Sequence, residues 1–188
     1  MRIIGGRLKG SILISSDENH LRPTADRVKE SVFNILLHGI NEFIMKNINV
    51  LDVFCGTGAL GLEAISRGAK HSVFIDLNKD SIEITRQNAV SMGLENKITL
   101  LKLDAQVLTL PPKEVASSAT LAFLDPPYNQ GLVCSALEGL GGKGWLEQGA
   151  ICVVEASTKE ALKIPEEFKI LNERIYGLTR IIFLRYKS

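Results

Sequence analysis

The sequence predicts an α/β fold, a mostly parallel seven-stranded sheet with helices on both faces and a C-terminal antiparallel hairpin at one edge. From residue 48 onward, short apolar runs alternate with segments of helical period, the pattern of successive β-α-β units. Residues 48–61 read Ile-Asn-Val-Leu-Asp-Val-Phe-Cys-Gly-Thr-Gly-Ala-Leu-Gly: a buried strand that breaks at glycines and passes into a helix, as in Rossmann-like folds. A hydrophobic content of 45% and a mean hydropathy of +0.12 suit a sheet covered on both faces.

The opening Arg2 to Ile14 reads as two short strands about a glycine-rich bend, an N-terminal β-hairpin arm with basic residues on its loop. Residues 15–23 are polar and end in Arg22-Pro23. Thr24 or Asp26 can then cap a helix whose apolar positions Val28, Val32, Phe33, Leu36 and Leu37 fall at helical spacing. Strands are expected at 48–54, 72–76, 97–103, 120–125 and 149–155, and helices at 58–67, 79–92 and 131–140, with a short helix near 158–163. The runs 168–175 and 178–186 lie close enough about Gly177 to pair as an antiparallel hairpin.

Successive strands end in acids. Gly56, Gly58 and Gly61 fit G-x-G-x-x-G, a spacing that serves any close approach of backbone to ligand. Asp52, four residues before the first glycine, would sit badly beside a pyrophosphate and well beside the ammonium of a bound amino acid, which favours S-adenosylmethionine over NAD. Asp76, 20 residues after Gly56, stands where a ribose diol is held in either cofactor. Asp104 closes the third strand and can accept from an adenine amino group. In an open α/β sheet all of these lie at the rim where ligands bind.

The fourth such strand ends in Asp125-Pro126-Pro127-Tyr128. Alone this is also what a turn after an apolar strand looks like. Beside a cofactor rim it reads as a site for an exocyclic amino group: the acid and the Pro126 carbonyl are acceptors, proline has no backbone N–H, and Tyr128 offers a ring for a base to stack on. The motif recognises an amino group without naming the ring, so an N6-adenine enzyme remains an alternative. A NAD-dependent oxidoreductase leaves Asp52 and Asp125–Tyr128 unexplained, and a non-catalytic RNA-binding assembly factor would bind RNA without methylating it.

At 188 residues the chain can bury one good core with a small appendage. No apolar run approaches the roughly 20 residues of a membrane span, and the N-terminus has no signal-peptide core, so a cytoplasmic protein is expected, taken as a monomer. Cys55, Cys134 and Cys152 lack C-x-x-C spacing and His20, His38 and His71 do not cluster, so neither disulfides nor a metal are expected. Net charge is only +1, but Arg2, Arg7, Lys9, Arg22, Arg27 and Lys29 outnumber the four acids of the first 30 residues, a distribution suited to phosphate contacts.

Taken together, Arg2-Ile3-Ile4-Gly5-Gly6, the stretch from Leu21 to Glu30, the loop from Leu51 to Glu63 and Asp125-Pro126-Pro127-Tyr128 resemble the RsmD-type methyltransferases over nearly the whole chain. The resemblance implies a class I S-adenosylmethionine-dependent methyltransferase fold, with residues 1–25 a basic β-hairpin extension and 26–188 the methyltransferase domain. It implies transfer to N2 of one guanine in bacterial 16S rRNA, guanine 966 in the family, with the RNA met within the small ribosomal subunit or its assembly intermediate. By the same resemblance Asp52, Gly56 and Gly58 hold the methionine end of the cofactor, Asp76 the ribose, and Asp104 with Ala105 the adenine. Asp125 and Pro126 hold the target amine, Tyr128 stacks on the base, and Arg7, Lys9, Arg22 and Arg27 face RNA. Asp76 stands where the family often has glutamate, Asn78 where aspartate is common, and Lys9 and Lys29 where arginine is frequent, and lysine lacks the bidentate fork of arginine.

Overall fold

The computed structural model describes residues 1–15, 23–128 and 130–187, with backbone alone at 23–25. Seven strands, β1 (Asn49–Val53), β2 (His71–Asp76), β3 (Ile98–Lys102), β4 (Ala119–Leu124), β5 (Leu146–Ser157), β6 (Phe168–Tyr176) and β7 (Thr179–Tyr186), form one sheet in the order β3-β2-β1-β4-β5-β7-β6. The first five strands run parallel, and β7 is antiparallel to both neighbours, β5 and β6. Strand order reverses between β1 and β4, which opens a crevice beyond their carboxyl ends.

Four helices cover the sheet: α1 (Pro23–His38), α2 (Ala59–Ser66), α3 (Lys79–Ser91) and α4 (Leu132–Leu140). Alternation along the strands divides the core. Leu51, Val53, Ala122, Leu124, Cys152 and Val154 join Val133, Ala136 and Leu137 of α4. Val50, Leu121, Phe123, Ile151 and Val153 pack on the opposite face with Val32, Phe33 and Leu36 of α1, where the Phe33 and Phe123 rings lie 5.6 Å apart. A third cluster joins Leu62 and Ile65 of α2 and Ile82 and Ala89 of α3 to Ile3 and Leu13.

Three local expectations are corrected. Helix α1 starts at Pro23, so Thr24 and Asp26 fall inside its first turn and neither is its cap; proline suits the first helical position, and an acid near the positive end of the helix dipole is favourable. Residues 158 and 159 form a turn and 160–163 an irregular segment, not a helix. The Lys159 N–H donates to Ser157 Oγ (3.2 Å) and the Glu160 N–H to the Ser157 carbonyl (3.1 Å), and so short a segment cannot repay helix nucleation.

The opening hairpin is the third difference. It closes on an isolated antiparallel bridge, Arg2 to Ile12, in place of two strands. Its outward N–H groups are taken by side chains of the helices beneath: Ile4 donates to Glu63 (2.8 Å), Leu8 to Ser66 (2.9 Å) and Ile14 to Asn88 (2.7 Å). The arm is therefore strapped along α2 and against α3, with Ile3 and Leu13 buried as its anchors.

Candidate active site

The end of β1 is bent for ligand approach. Phe54 takes a left-handed backbone conformation (φ 63°), which costs a non-glycine residue about 1–3 kcal/mol and turns the chain into the glycine loop. Gly61 is required sterically, because a Cβ there would lie 2.5 Å from the Phe74 ring and 2.6 Å from Ser72 Oγ. The Gly61 N–H, in the first turn of α2, donates to Asp52 Oδ2 at 2.8 Å. The helix terminus that would receive a pyrophosphate in a dinucleotide fold is thus already occupied by a carboxylate.

A cavity of about 760 Å³ opens beyond the strand ends. Gly56, Asp76, Asp104, Ala105, Asp125, Pro126 and Tyr128, all singled out in the sequence, line it. Asp76 is held by two backbone donors, the N–H of Gly56 to Oδ2 (3.0 Å) and of Asn78 to Oδ1 (2.8 Å), which fixes both oxygens toward the cavity mouth. Asp104 accepts the Gln106 N–H at 2.9 Å through Oδ1 alone. Phe54, Leu77 and Leu103 supply apolar wall, with Leu77 exposed there at 61%. A pocket of this size with fixed carboxylates and apolar faces fits a nucleoside carrying a cationic tail.

Asp52 and Gly58 lie outside this lining. Asp52 is only 2% exposed and sits beneath the loop, because it shares the strand parity of Val50 and points under α2. Burial pushes its pKa up to about 7, the Gly61 hydrogen bond opposing and the nearby Asp76 charge adding to the rise. The folded pKa exceeds the ordinary 3.8, so between those values the native protein holds a proton that the unfolded chain has released, and stability falls as pH rises through that window. Asp52→Asn, which keeps an acceptor for Gly61, is expected to melt at a higher temperature than the parent at pH 8 and at a similar one at pH 4; equal differences at both pH values would contradict this.

Asp125 and Tyr128 stand at a second junction. A further cavity of about 430 Å³, on the α1 side of the sheet, shares Asp125, Tyr128 and Glu155 with the first. The Tyr128 hydroxyl donates to Glu155 Oε1 at 2.5 Å and lies 3.0 Å from Thr179 Oγ1. Solvent in the cavities reaches the Asp125 side chain, yet protein walls surround its carboxyl. That desolvation, with the charges of Glu155 and Asp52, raises its pKa well above the carboxylate range. Desolvation also raises Glu155, against the hydrogen bond from Tyr128.

Glu155 was not singled out from the sequence. The signal was available: an acid near the end of the apolar run Ile151-Cys152-Val153-Val154 obeys the same rule that selects Asp52, Asp76, Asp104 and Asp125. Cys55 is buried beside Thr85, and burial drives its thiol far above the range in which a thiolate nucleophile forms. Arg7, Lys9 and Arg27 are exposed, and Arg22 lies outside the described residues. Met1 reaches the second cavity beside Ala59, whereas the Arg7 N–H meets Ser66, so the basic turn sits about 12 Å from the rim, one length of α2.

The sheet order, the acid-bearing strand ends and the glycine loop define a class I methyltransferase fold. The family described as Conserved hypothetical protein 95 matches residues 1–185. Ribosomal RNA small subunit methyltransferase D of Escherichia coli strain K12 is 33% identical over 183 residues, covering 94% of this chain and 85% of its own. The putative rRNA methyltransferase YlbH of Bacillus subtilis is 30% identical over 191 residues and the whole of both chains. The solved structure of the putative methyltransferase yhhF from Escherichia coli superposes with a TM-score of 0.83 at 27% identity, covering 100% of this chain and 98% of that one. The chain belongs to the RsmD family.

Proposed function

We propose that this protein transfers a methyl group from S-adenosylmethionine to the exocyclic N2 of one guanine in 16S rRNA of the small ribosomal subunit. The observation that carries the proposal is the junction itself: Asp125 and Tyr128 line both cavities, so one motif can face a cofactor on one side and a base on the other. The names of the relatives support the RNA substrate, and the Asp52 carboxyl at the start of α2, where a pyrophosphate would sit, with Asp76 at the rim favours a cationic cofactor over an anionic dinucleotide.

When bound, the cofactor supplies an electrophilic methyl on a sulfonium. Asp76 would hold its ribose and Asp104 with Ala105 its adenine, while Gly56 allows close backbone approach and Asp52 braces the loop from below. The protein's own work is alignment. Asp125 and the Pro126 carbonyl would accept the two amine hydrogens and aim the nitrogen at the cofactor cavity, in an environment arranged before reaction. Asp125 would act either as acceptor of the proton that the amine gives up or as a positioning group alone. Tyr128, its hydroxyl tethered, offers a ring to the base. A paired base cannot reach this depth, so the target is unpaired or extruded.

Arg7, Lys9 and Arg27 would bind phosphates flanking the target, the first two at some distance from the rim. No described helix is long and apolar enough to cross a membrane. Purified protein with labelled S-adenosylmethionine should place label in N2-methylguanosine, read by mass spectrometry, on small subunits lacking the modification or on protein-free 16S RNA. Labelled N6-methyladenosine would overturn the base, and no label with either RNA would overturn the activity.

A further inference from the structure

The second cavity contains a carboxylate that methyl transfer to a bare amine does not require. Glu155 lines it opposite α1, and Tyr128 fills only one of its oxygens, Oε1; among the described residues Oε2 accepts no hydrogen bond. The carboxylate is fixed in place. Its strand pairs residue for residue with β7, Glu155 opposite Ile181, and the Tyr128 hydroxyl bridges it to Thr179 of that same strand. Across the cavity the Tyr176 hydroxyl is tied to Ser31 Oγ of α1, so the far wall is held too. A volume of about 430 Å³ suits one nucleobase with its sugar.

Asp125 and Glu155 both line this cavity, so two carboxyl groups are available to whatever enters. Guanine presents two adjacent donors on its Watson–Crick edge, the N2 amine and the N1–H. Adenine presents one amine beside the lone pair of N1, which would face a carboxylate with no hydrogen between them. A buried acceptor left without its donor carries the full desolvation penalty, which makes such a site a strong discriminator.

We propose that the α1-side cavity seats the target base and that Glu155 is its specificity-determining residue, accepting the ring N1–H while Asp125 holds the N2 amine. The inference rests on the guanine-N2 reading above and adds the residue that selects the ring. It assigns Glu155 a role beyond tethering Tyr128.

The test uses 2,6-diaminopurine, which keeps the N2 amine but bears a lone pair at N1. Small subunits are reconstituted from 16S RNA carrying guanine or diaminopurine at the target position, and kcat/KM is measured on both. The parent protein is expected to favour guanine by roughly 10²-fold or more. Glu155→Gln keeps an oxygen for Tyr128 and can turn its N–H toward bare N1, so it should narrow that ratio by about 10-fold or more. Glu155→Asp, with a shorter reach, should narrow it as well. A ratio unchanged in both variants, or no preference in the parent, overturns the role of Glu155 while leaving guanine-N2 transfer standing. Absence of any guanine methylation by the parent overturns the underlying function and the inference with it.

Discussion

Asp125→Ala is expected to lower turnover by roughly 10²-fold or more while S-adenosylmethionine binds within a few-fold of the parent. The asymmetry follows from placement: the contacts assigned to the cofactor come from β1, β2 and the segment after β3, whereas Asp125 stands where the first cavity meets the α1-side cavity proposed for the base. Asp125→Asn divides the two ways in which the acid can act. An amide retains the acceptor oxygen but cannot take a proton, so recovery of most activity assigns Asp125 to positioning, and activity as low as in the alanine variant assigns it to proton acceptance. Because desolvation, Glu155 and Asp52 raise its pKa, the acid limb of the pH–rate profile should lie above the ordinary carboxylate range and disappear in Asp125→Asn. Near-parental turnover in Asp125→Ala, measured with saturating cofactor, would remove this residue from the mechanism.

Glu63→Ala should destabilise the fold by about 3–5 kcal/mol in chemical denaturation. Glu63 is fully buried, and one carboxylate serves three partners: the Arg67 Nε at 2.7 Å, the Lys29 Nζ at 3.6 Å and the Ile4 N–H at 2.8 Å. Lys29 is itself 7% exposed, and burial lowers its pKa against the support of Glu63, so the alanine variant leaves a buried cation to the Arg2 carbonyl and the Asp26 charge. Arg67 also lies over the Phe33 ring at 4.7 Å, which couples the loss to the core under α1. Amide exchange at Ile4 should accelerate along with it, since the strap would lose its fastening. A loss below about 1 kcal/mol would show that the network is neutral to stability.

The acids at the strand ends were legible because a parallel sheet gathers its carboxyl ends at one rim, and Asp76, Asp104 and Asp125 all reach the cavity there. What spacing along a strand cannot supply is the face. Asp52 was expected to meet the cofactor, but its parity with Val50 turns it under α2, where it caps Gly61. Glu155 belongs to the Val153 side of β5, and only the order β5-β7-β6 brings Thr179 and Tyr176 to the same wall. The network about Glu63 joins residues 2, 4, 29, 63 and 67 from three separate stretches, contacts with no local signature. The opening arm was legible as a bend with basic residues, but its docking depended on Ser66 and Asn88, polar positions that read as solvated helix faces until their partners are known.

The position of β7 between β5 and β6 has a consequence for biosynthesis. This strand is drawn from residues 179–186, yet it occupies an interior place in the sheet and supplies Thr179 and Ile181 to the α1-side cavity that Met1 also lines. A nascent chain can assemble β1 to β4 as each β-α-β unit emerges, but β5 keeps an unpaired edge until the β6-β7 hairpin arrives. Closure of the cavity that Thr179 and Ile181 line therefore waits for the β6-β7 hairpin. By the proposed reading, the pocket that grips the RNA base is completed only after the parallel strands that carry its acids are already in place.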